Sequence, residues 1–241
     1  MSNMTIDRKR LAIVTGATRG IGWAIAMRLV HDGVDVIGTG TKPEGIVPKG
    51  CLFREVDFTN DDQTQSFIEE LHSLAPTILV NNAGINKVDQ FTEISPPDFD
   101  IIQHVNVTIP FKLCQAVIPG MRNKKWGRIV NISSIWGKIS KSGRAPYSAS
   151  KFALDGMTTA LAAEVAVDGI LANCIAPGFI DTEMTRSILG KQQMDALARQ
   201  APIQRLGKPE EIAAFVAWLV SSENSYISGQ NIAIDGGFTR V

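Results

Sequence analysis

Leu11-Ala-Ile-Val-Thr-Gly-Ala-Thr-Arg-Gly-Ile-Gly22 is the stretch whose reading decides the fold. Its first four residues form a short apolar run, the pattern of a strand buried on both faces. Three glycines follow, at Gly16, Gly20 and Gly22, and from there a helical pattern continues to about His31. Glycine lets the chain turn sharply where a side chain would obstruct it. A strand, a glycine turn and a helix in that order form the first half of a βαβ unit.

The same alternation continues outward. Strands are expected at Val34–Ile37, Leu52–Val56, Thr77–Val80, Arg128–Ile132, Ile170–Ala176 and Gln230–Ile234. Helices are expected at Asp61–Leu74, from Pro97 or Asp98 to Met121, at Ala145–Val167, and at Glu210–Val220, with two shorter ones in Thr182–Gln200. Phe67, Ile68, Leu71 and Leu74 repeat at helical spacing, as do Phe99, Ile102, Val105, Ile109 and Leu113. Thr41–Gly50 carries Pro43, Gly45, Pro48 and Gly50, which argues against a helix there. Strand–helix alternation of this kind predicts an α/β fold, a doubly wound parallel sheet with helices on both faces. Neither a repeat nor a linker-like stretch interrupts it, so residues 1–241 are read as one domain.

Composition narrows the function classes. In 241 residues, 44% are hydrophobic and 20% charged, as in an ordinary globular protein. Twenty-four basic residues balance twenty-four acidic ones, which argues against nucleic acid or an anionic membrane as the main partner. Cys51, Cys114 and Cys174 are scattered and odd in number, so they read as core residues of a reducing compartment. His31, His72 and His104 are too dispersed to suggest a metal site. The polar N-terminus lacks the apolar stretch of a signal peptide, and no apolar run approaches a bilayer span; a cytoplasmic location is expected.

Two features carry chemistry. The helix N-terminus after the glycine turn exposes backbone N–H groups, and glycines let a pyrophosphate come close to them. That context makes the turn a nucleotide cradle. At the end of the second strand stands Thr39, followed by Lys42, with no carboxylate before Glu44. A carboxylate there would repel a 2′-phosphate; its absence, with Arg19 in the glycine loop, favours NADP(H) and leaves NAD(H) open. The second feature is Tyr147-Ser-Ala-Ser-Lys151, where phenol and ammonium share one helical face. A nearby cation lowers a phenol's pKa from roughly 10, which would let it exchange a proton with an alkoxide. A buried tyrosine beside a solvated lysine is the bland alternative.

Taken together, these motifs resemble the short-chain dehydrogenase/reductase family. The glycine motif matches the family's T-G-x-x-x-G-x-G; Asn81-Asn-Ala-Gly84, Asn106, Ser134, the Tyr147–Lys151 pair and Pro177-Gly178 follow in family order, through to Asp235-Gly-Gly237. Within the family, Tyr147–Leu154, Ala176–Met184 and Ile203–Ile212 resemble the 3-oxoacyl-acyl-carrier-protein reductases of fatty acid synthesis. The chain does not resemble the enoyl reductases, whose Tyr and Lys stand further apart.

The resemblance implies a Rossmann-type fold, ketone reduction to a secondary alcohol, and roles for named residues. Tyr147 would be the general acid and Ser134 the donor to the substrate carbonyl, with Ser133 turned away by strand alternation. Lys151 would acidify Tyr147 and bind the nicotinamide ribose, and Asn106 would hold a proton-relay water. Gly16, Thr18, Arg19, Gly20, Ile21, Gly22, Thr39, Lys42, Asp57, Asn82, Ala83, Gly84, Pro177, Gly178, Ile180 and Thr182 would line the dinucleotide. Asn81 is assigned to sheet packing.

The substrate region implied comprises Ile85–Phe91, Ile135–Ala145 and a lid over about 179–206. The lid's apolar underside would be Met184, Ile188, Leu189, Met194 and Leu197, and Trp136 would either narrow the pocket or pack beneath its loop. Carrier docking is read both ways: Asp168 opposes an acidic partner, whereas Arg122, Lys124 and Lys125 favour one. Lys138, Lys141 and Arg144 crowd the loop between Ser134 and Tyr147. A homotetramer is the family's usual assembly. Two alternatives stay open: reduction of another alcohol, ketone or sugar, and NADP(H) sensing without chemistry.

Overall fold

The computed structural model describes residues 10–188 and 191–240. Its seven strands are β1 (Leu11–Val14), β2 (Asp35–Gly40), β3 (Cys51–Glu55), β4 (Ile78–Asn81), β5 (Gly127–Ile132), β6 (Ile170–Pro177) and β7 (Asn231–Ile234). They form one sheet in the order β3-β2-β1-β4-β5-β6-β7, and every neighbouring pair is parallel. The helices are α1 (Gly20–His31), α2 (Asp61–Leu74), α3 (Pro96–Gln103), α4 (Ile109–Lys124), α5 (Ala145–Val165), α6 (Glu183–Ile188), α7 (Lys191–Ala198) and α8 (Pro209–Leu219).

Strand alternation divides the core in two. Ala12, Val14, Ile78, Val80 and Val130 meet Ile25 and Leu29 of α1 and Ile212 and Val216 of α8. Ile13, Leu79, Ile129 and Ala172 face the other way, onto Phe67 and Leu71 of α2, Leu113 and Val117 of α4, and Ala162 and Val165 of α5. The residues of this buried sheet read as continuous apolar runs because both faces are covered.

Two differences from the sequence reading bear on the site. β2 extends to Gly40, because its pairing with β3 continues through Thr39↔Arg54 and Gly40↔Glu55. The helix expected from Asp98 to Met121 is interrupted by a π turn at His104–Thr108, where the Ile109 N–H reaches back to the His104 carbonyl. Pro110 explains the interruption: it has no N–H for the carbonyl four residues earlier, that of Asn106.

The order reverses between β1 and β4. At such a switch point the loops after neighbouring strands diverge to opposite faces and leave a crevice at the strands' C-terminal ends. The glycine turn after β1 and Asn82-Ala-Gly84 after β4 lie there.

Candidate active site

The crevice floor is built by Thr15, a residue the sequence reading quoted without assigning it a task. Its hydroxyl accepts the N–H groups of Asn82 and Ala83, each at 2.9 Å. The Asn82 side chain returns two bonds, donating to the carbonyls of Thr15 at 2.9 Å and Gly16 at 3.1 Å. These four bonds fasten the end of β4 to the glycine turn. Gly22 is required by the same packing, since a Cβ there would lie 2.2 Å from the Gly16 carbonyl oxygen. Gly16 and Gly20 have φ of +66° and +56°, in the left-handed region.

Thr39 is placed differently from expectation. It is buried, and its hydroxyl accepts the Gly16 N–H at 3.2 Å, so it braces the glycine turn from below. Arg19, Thr41, Lys42 and Glu44 are exposed on this side. Asp57 lies two residues beyond the end of β3, and one of its carboxylate oxygens accepts both the N–H and the hydroxyl of Thr59. Thr41–Gly50 contains no helix, and Val47 from it packs on the core.

Opposite the glycine turn stand Pro177, Gly178 and the base of the lid. Gly178 lies so close to Asp235 that a Cβ would fall 2.7 Å from its Cα. Ile180 bridges Gly207; the Asp181 N–H donates to the Gly207 carbonyl at 2.8 Å, and the Gly207 N–H to the Phe179 carbonyl at 2.9 Å. The lid is therefore an excursion pinned at its base. The Thr182 hydroxyl accepts the Thr185 N–H at 3.1 Å, and a Cβ on Gly20 would touch the Thr182 methyl at 3.5 Å. Thr18 and Ile21 flank this approach on the α1 side, both half-buried. Met194 and Leu197 are half-buried as an apolar underside requires; Leu189 and the side chains of Met184 and Ile188 lie outside the described residues.

The reactive groups converge at the far end of the crevice. Lys151 is buried, and its Nζ donates to the Ile132 carbonyl at 2.8 Å and lies 5.4 Å from the centroid of the Tyr147 ring. A hydrogen bond joins Ser134 to the Tyr147 phenol. The Ser134 oxygen also accepts the Trp136 N–H at 3.2 Å. Ser133 points the other way and donates to the Lys151 carbonyl at 3.1 Å, bracing α5 against β5.

Asn106 sits in the π turn, fully buried. Its Oδ1 accepts the Ile85 N–H, and its Nδ2 donates to the Ile85 carbonyl and to Ser150 Oγ, the three bonds between 2.9 and 3.0 Å. Gly84 closes the set: a Cβ there would lie 3.2 Å from Asn106 Oδ1 and 3.6 Å from Lys151 Nζ. Asn81 donates to Asn131 Oδ1 at 2.8 Å inside the sheet, clear of the crevice.

Burial controls the electrostatics. It pulls the Lys151 ammonium down to about 8. It also pushes the Tyr147 phenol up, opposed by the Ser134 hydrogen bond and the Arg144 charge. The phenol is thus raised, whereas the spacing argument had Lys151 lowering it; burial is the largest effect, and the groups that oppose it are Ser134 and Arg144 rather than Lys151. Trp136 packs beneath its loop, its ring edge-on to Phe179 and Phe238 at 6.2 and 6.3 Å.

A switch-point crevice with a glycine turn opens onto a Ser–Tyr–Lys–Asn cluster, and a family model described as Enoyl-(Acyl carrier protein) reductase matches residues 16–239. The chain belongs to the short-chain dehydrogenase/reductase family. It is 38% identical to the 3-oxoacyl-[acyl-carrier-protein] reductase FabG of Pseudomonas aeruginosa, over 95% of this chain and 96% of that protein. A putative NAD(P)-dependent gluconate 5-dehydrogenase from Beutenbergia cavernae, with bound NADP, superposes with a TM-score of 0.89 at 30% identity, covering 96% of this chain and 97% of that one. A gluconate 5-dehydrogenase from Burkholderia cenocepacia, in complex with NADP and tartrate, gives 0.88 at 29% identity and 96% of both chains. Family membership makes the protein an oxidoreductase. The four-residue Tyr147–Lys151 spacing sets it with the 3-oxoacyl reductases rather than with the activity in the family model's description.

The crevice suits a dinucleotide. Gly16, Gly20 and Gly22 leave the start of α1 open to a diphosphate, Asn82-Ala-Gly84 lines the centre, and Pro177 to Thr182 forms the opposite wall. Tyr147 and Lys151 stand at the end where a nicotinamide would lie.

Proposed function

We propose that the protein is an NADP(H)-dependent reductase that converts a 3-oxoacyl group to the 3-hydroxyacyl alcohol. The observation that carries this is the convergence of Ser134, Tyr147, Lys151 and Asn106 on the crevice's far end, in a chain 38% identical to a 3-oxoacyl-[acyl-carrier-protein] reductase along 95% of its length. Bound NADPH supplies the hydride. Tyr147, protonated throughout the neutral range, gives its proton to the carbonyl oxygen as negative charge develops there. Ser134 donates to the same oxygen, a placed dipole of the kind that stabilises developing anions. Lys151, held by the Ile132 carbonyl, would donate to a ribose hydroxyl of the bound cofactor, and Asn106 fixes the loop at Ile85.

NADP(H) is the cofactor chosen. No carboxylate ends β2, and Arg19 and Lys42 are exposed cations on that side. Both structural neighbours hold NADP.

Delivery on an acidic carrier is the weaker part of the reading, because the features that the sequence set against each other are one cluster. Asp168 accepts from Arg122 Nε at 2.8 Å and from Lys125 Nζ at 3.0 Å, so it partly neutralises both cations. The Lys124 ammonium donates to the Ala75 carbonyl. The assembly proposed is a homotetramer in the cytoplasm, within a single domain, pairing through the faces of α4 and α5 that leave Phe111 and Phe152 about half exposed.

The test is NADPH oxidation with the acetoacetyl thioester of N-acetylcysteamine, run beside NADH and with Tyr147→Phe as control. Turnover that prefers NADPH and vanishes in the variant is expected. A protein that binds NADPH tightly and reduces no carbonyl is instead the sensing module.

A further inference from the structure

One polar row crosses three central strands on an otherwise apolar face of the sheet. Asn81, Asn131 and Cys174 are direct register partners on β4, β5 and β6, each two residues beyond Leu79, Ile129 and Ala172 of the core. Alternation therefore puts them on the face that α4 and α5 cover. Asn131 and Cys174 are wholly buried, and Asn81 and Thr158 nearly so. Asn81 Nδ2 donates to Asn131 Oδ1, and Asn131 Nδ2 donates to the Thr158 hydroxyl, both at 2.8 Å. That hydroxyl spends its one proton on the Leu154 carbonyl at 2.6 Å. The Cys174 thiol, 3.1 Å away, is therefore the donor of the bond between them. The row runs in one direction, from the sheet into α5.

Its use follows from what apolar contacts leave unset. Apolar burial is non-directional, so it holds α5 on the sheet more firmly than it fixes how α5 is rotated there. A hydrogen bond weakens steeply out of line, so it does fix rotation. Tyr147, Lys151 and Thr158 follow at helical spacing and share one face of α5. Consecutive residues of β5 meet that face in turn: Asn131 at Thr158, the Ile132 carbonyl at Lys151 Nζ, Ser133 at the Lys151 carbonyl, and Ser134 at the Tyr147 phenol. The last three belong to the reacting end. The Asn131–Thr158 bond lies about 16 Å along the helix from Tyr147, at 1.5 Å per residue, and has no chemical task of its own.

We propose that Asn131 and Thr158 are positioning residues for the ketone reduction. Their bond sets the register of α5 on β5, and so holds the Tyr147 phenol where Ser134 meets the same carbonyl. This rests on the ketone-reductase reading and adds to it a pair buried away from substrate and cofactor.

The test measures kcat and KM for the acetoacetyl thioester of N-acetylcysteamine with NADPH, together with NADPH affinity and melting temperature. Thr158→Val keeps the shape and removes the hydroxyl, and Thr158→Ser keeps the hydroxyl. Ile129→Val is the control, since it trims the same face of β5 without touching a hydrogen bond. In Thr158→Val, kcat is expected to fall by about tenfold to a hundredfold, the cost of a small misplacement arising far from the chemistry. KM and NADPH affinity should stay within a small factor, and Thr158→Ser should recover most of kcat. Ile129→Val should lose stability and keep kcat. Thr158→Ala takes the place of Thr158→Val if the latter does not bind NADPH. An unchanged kcat in the variant without the hydroxyl, a loss confined to KM or NADPH affinity, no recovery in Thr158→Ser, or an equal loss in Ile129→Val overturns the proposal while the reductase reading stands. Wild type that binds NADPH and leaves the thioester unreduced overturns both.

Discussion

The Lys151 ammonium lies 5.4 Å from the centroid of the Tyr147 ring and spends a hydrogen bond on the Ile132 carbonyl at the end of β5. The pair is therefore tied to the sheet as well as to its own helix. That carbonyl fixes where the ammonium stands, and α5 fixes where the phenol stands.

Tyr147→Phe removes the proton donor and leaves the ring that Lys151 faces. Positioned general acids contribute about 10²–10⁴-fold, so kcat should fall by that much. NADPH affinity should stay within a small factor, read by fluorescence titration. A large loss of binding would mean that the hydroxyl holds cofactor rather than donating to substrate.

Lys151 sets the pH dependence. Its ammonium titrates at about 8 in the folded chain against 10.5 ordinarily, so between those values the unfolded chain binds more protons. Stability therefore rises with pH across that window. Below about 8 the folded chain carries a buried cation at a cost. Lys151→Met should raise the melting temperature near pH 7, with a ceiling of about 3 kcal/mol from 1.36 kcal/mol per unit, and the gain should vanish above pH 10.5. Reduction by wild type should decline from pH 8 as Lys151 loses its charge, whereas the raised phenol stays protonated. A profile flat to pH 10 would contradict this.

Asn106→Ala deletes three buried bonds to Ile85 and Ser150. Each leaves a polar group unmet, at about 1–3 kcal/mol apiece before relaxation. Thermal unfolding should register a loss of about 2–4 kcal/mol in total. Proteolysis should quicken at the loop after Gly84, and Asn106→Asp should recover only the Ile85 N–H contact. Equal stability in Asn106→Ala would show that the loop is held by something else.

Asp168→Ala releases Arg122 and Lys125 from their shared partner. Surface ion pairs of this kind contribute little to stability, so the melting temperature should hardly move. The test is kcat/KM for an acetoacetyl group on an acidic carrier protein against the same group on N-acetylcysteamine. Carrier delivery should improve in the variant at low salt and return to the wild-type value at high salt, where surface charge is screened. A variant indifferent to both carrier and salt would show that this surface takes no part in delivery.

Gly22→Ala should abolish dinucleotide binding, because its Cβ would fall 2.2 Å from the Gly16 oxygen and 2.4 Å from Asn82 Nδ2. Gly33→Ala has open space around it and differs only in a positive φ, so it should bind NADPH normally at a cost of about 1 kcal/mol in stability. Comparable binding losses in both would point to global damage rather than to the cradle.

The succession of strands and helices and the pairing of Tyr147 with Lys151 were legible because they rest on local patterns: apolar runs, glycine spacing, and a Tyr and Lys one helical turn apart. What escaped depends on contacts between distant segments. Thr39 turns inward because β2 pairs with β3 three residues further than its apolar run suggests. Thr15 holds Asn82 and Ala83 across 67 and 68 positions of sequence, and no periodicity reports that. Asp168 and the cluster of Arg122 and Lys125 looked like opposed votes on one partner; folded, they satisfy each other. The break at Asn106 did have a signal, Pro110 four residues later, whose meaning depends on reading a missing donor.

Phe238 packs 5.0 Å from Phe179 and also reaches Trp136, while Asp235 holds the turn leading to it through the N–H groups of Gly237 and Thr239. Residues 235–239 thereby buttress the ring of Trp136, whose backbone N–H holds the Ser134 oxygen. Replacing Phe238 with alanine would loosen that support from a distance, while Tyr147 and Lys151 keep their places on α5.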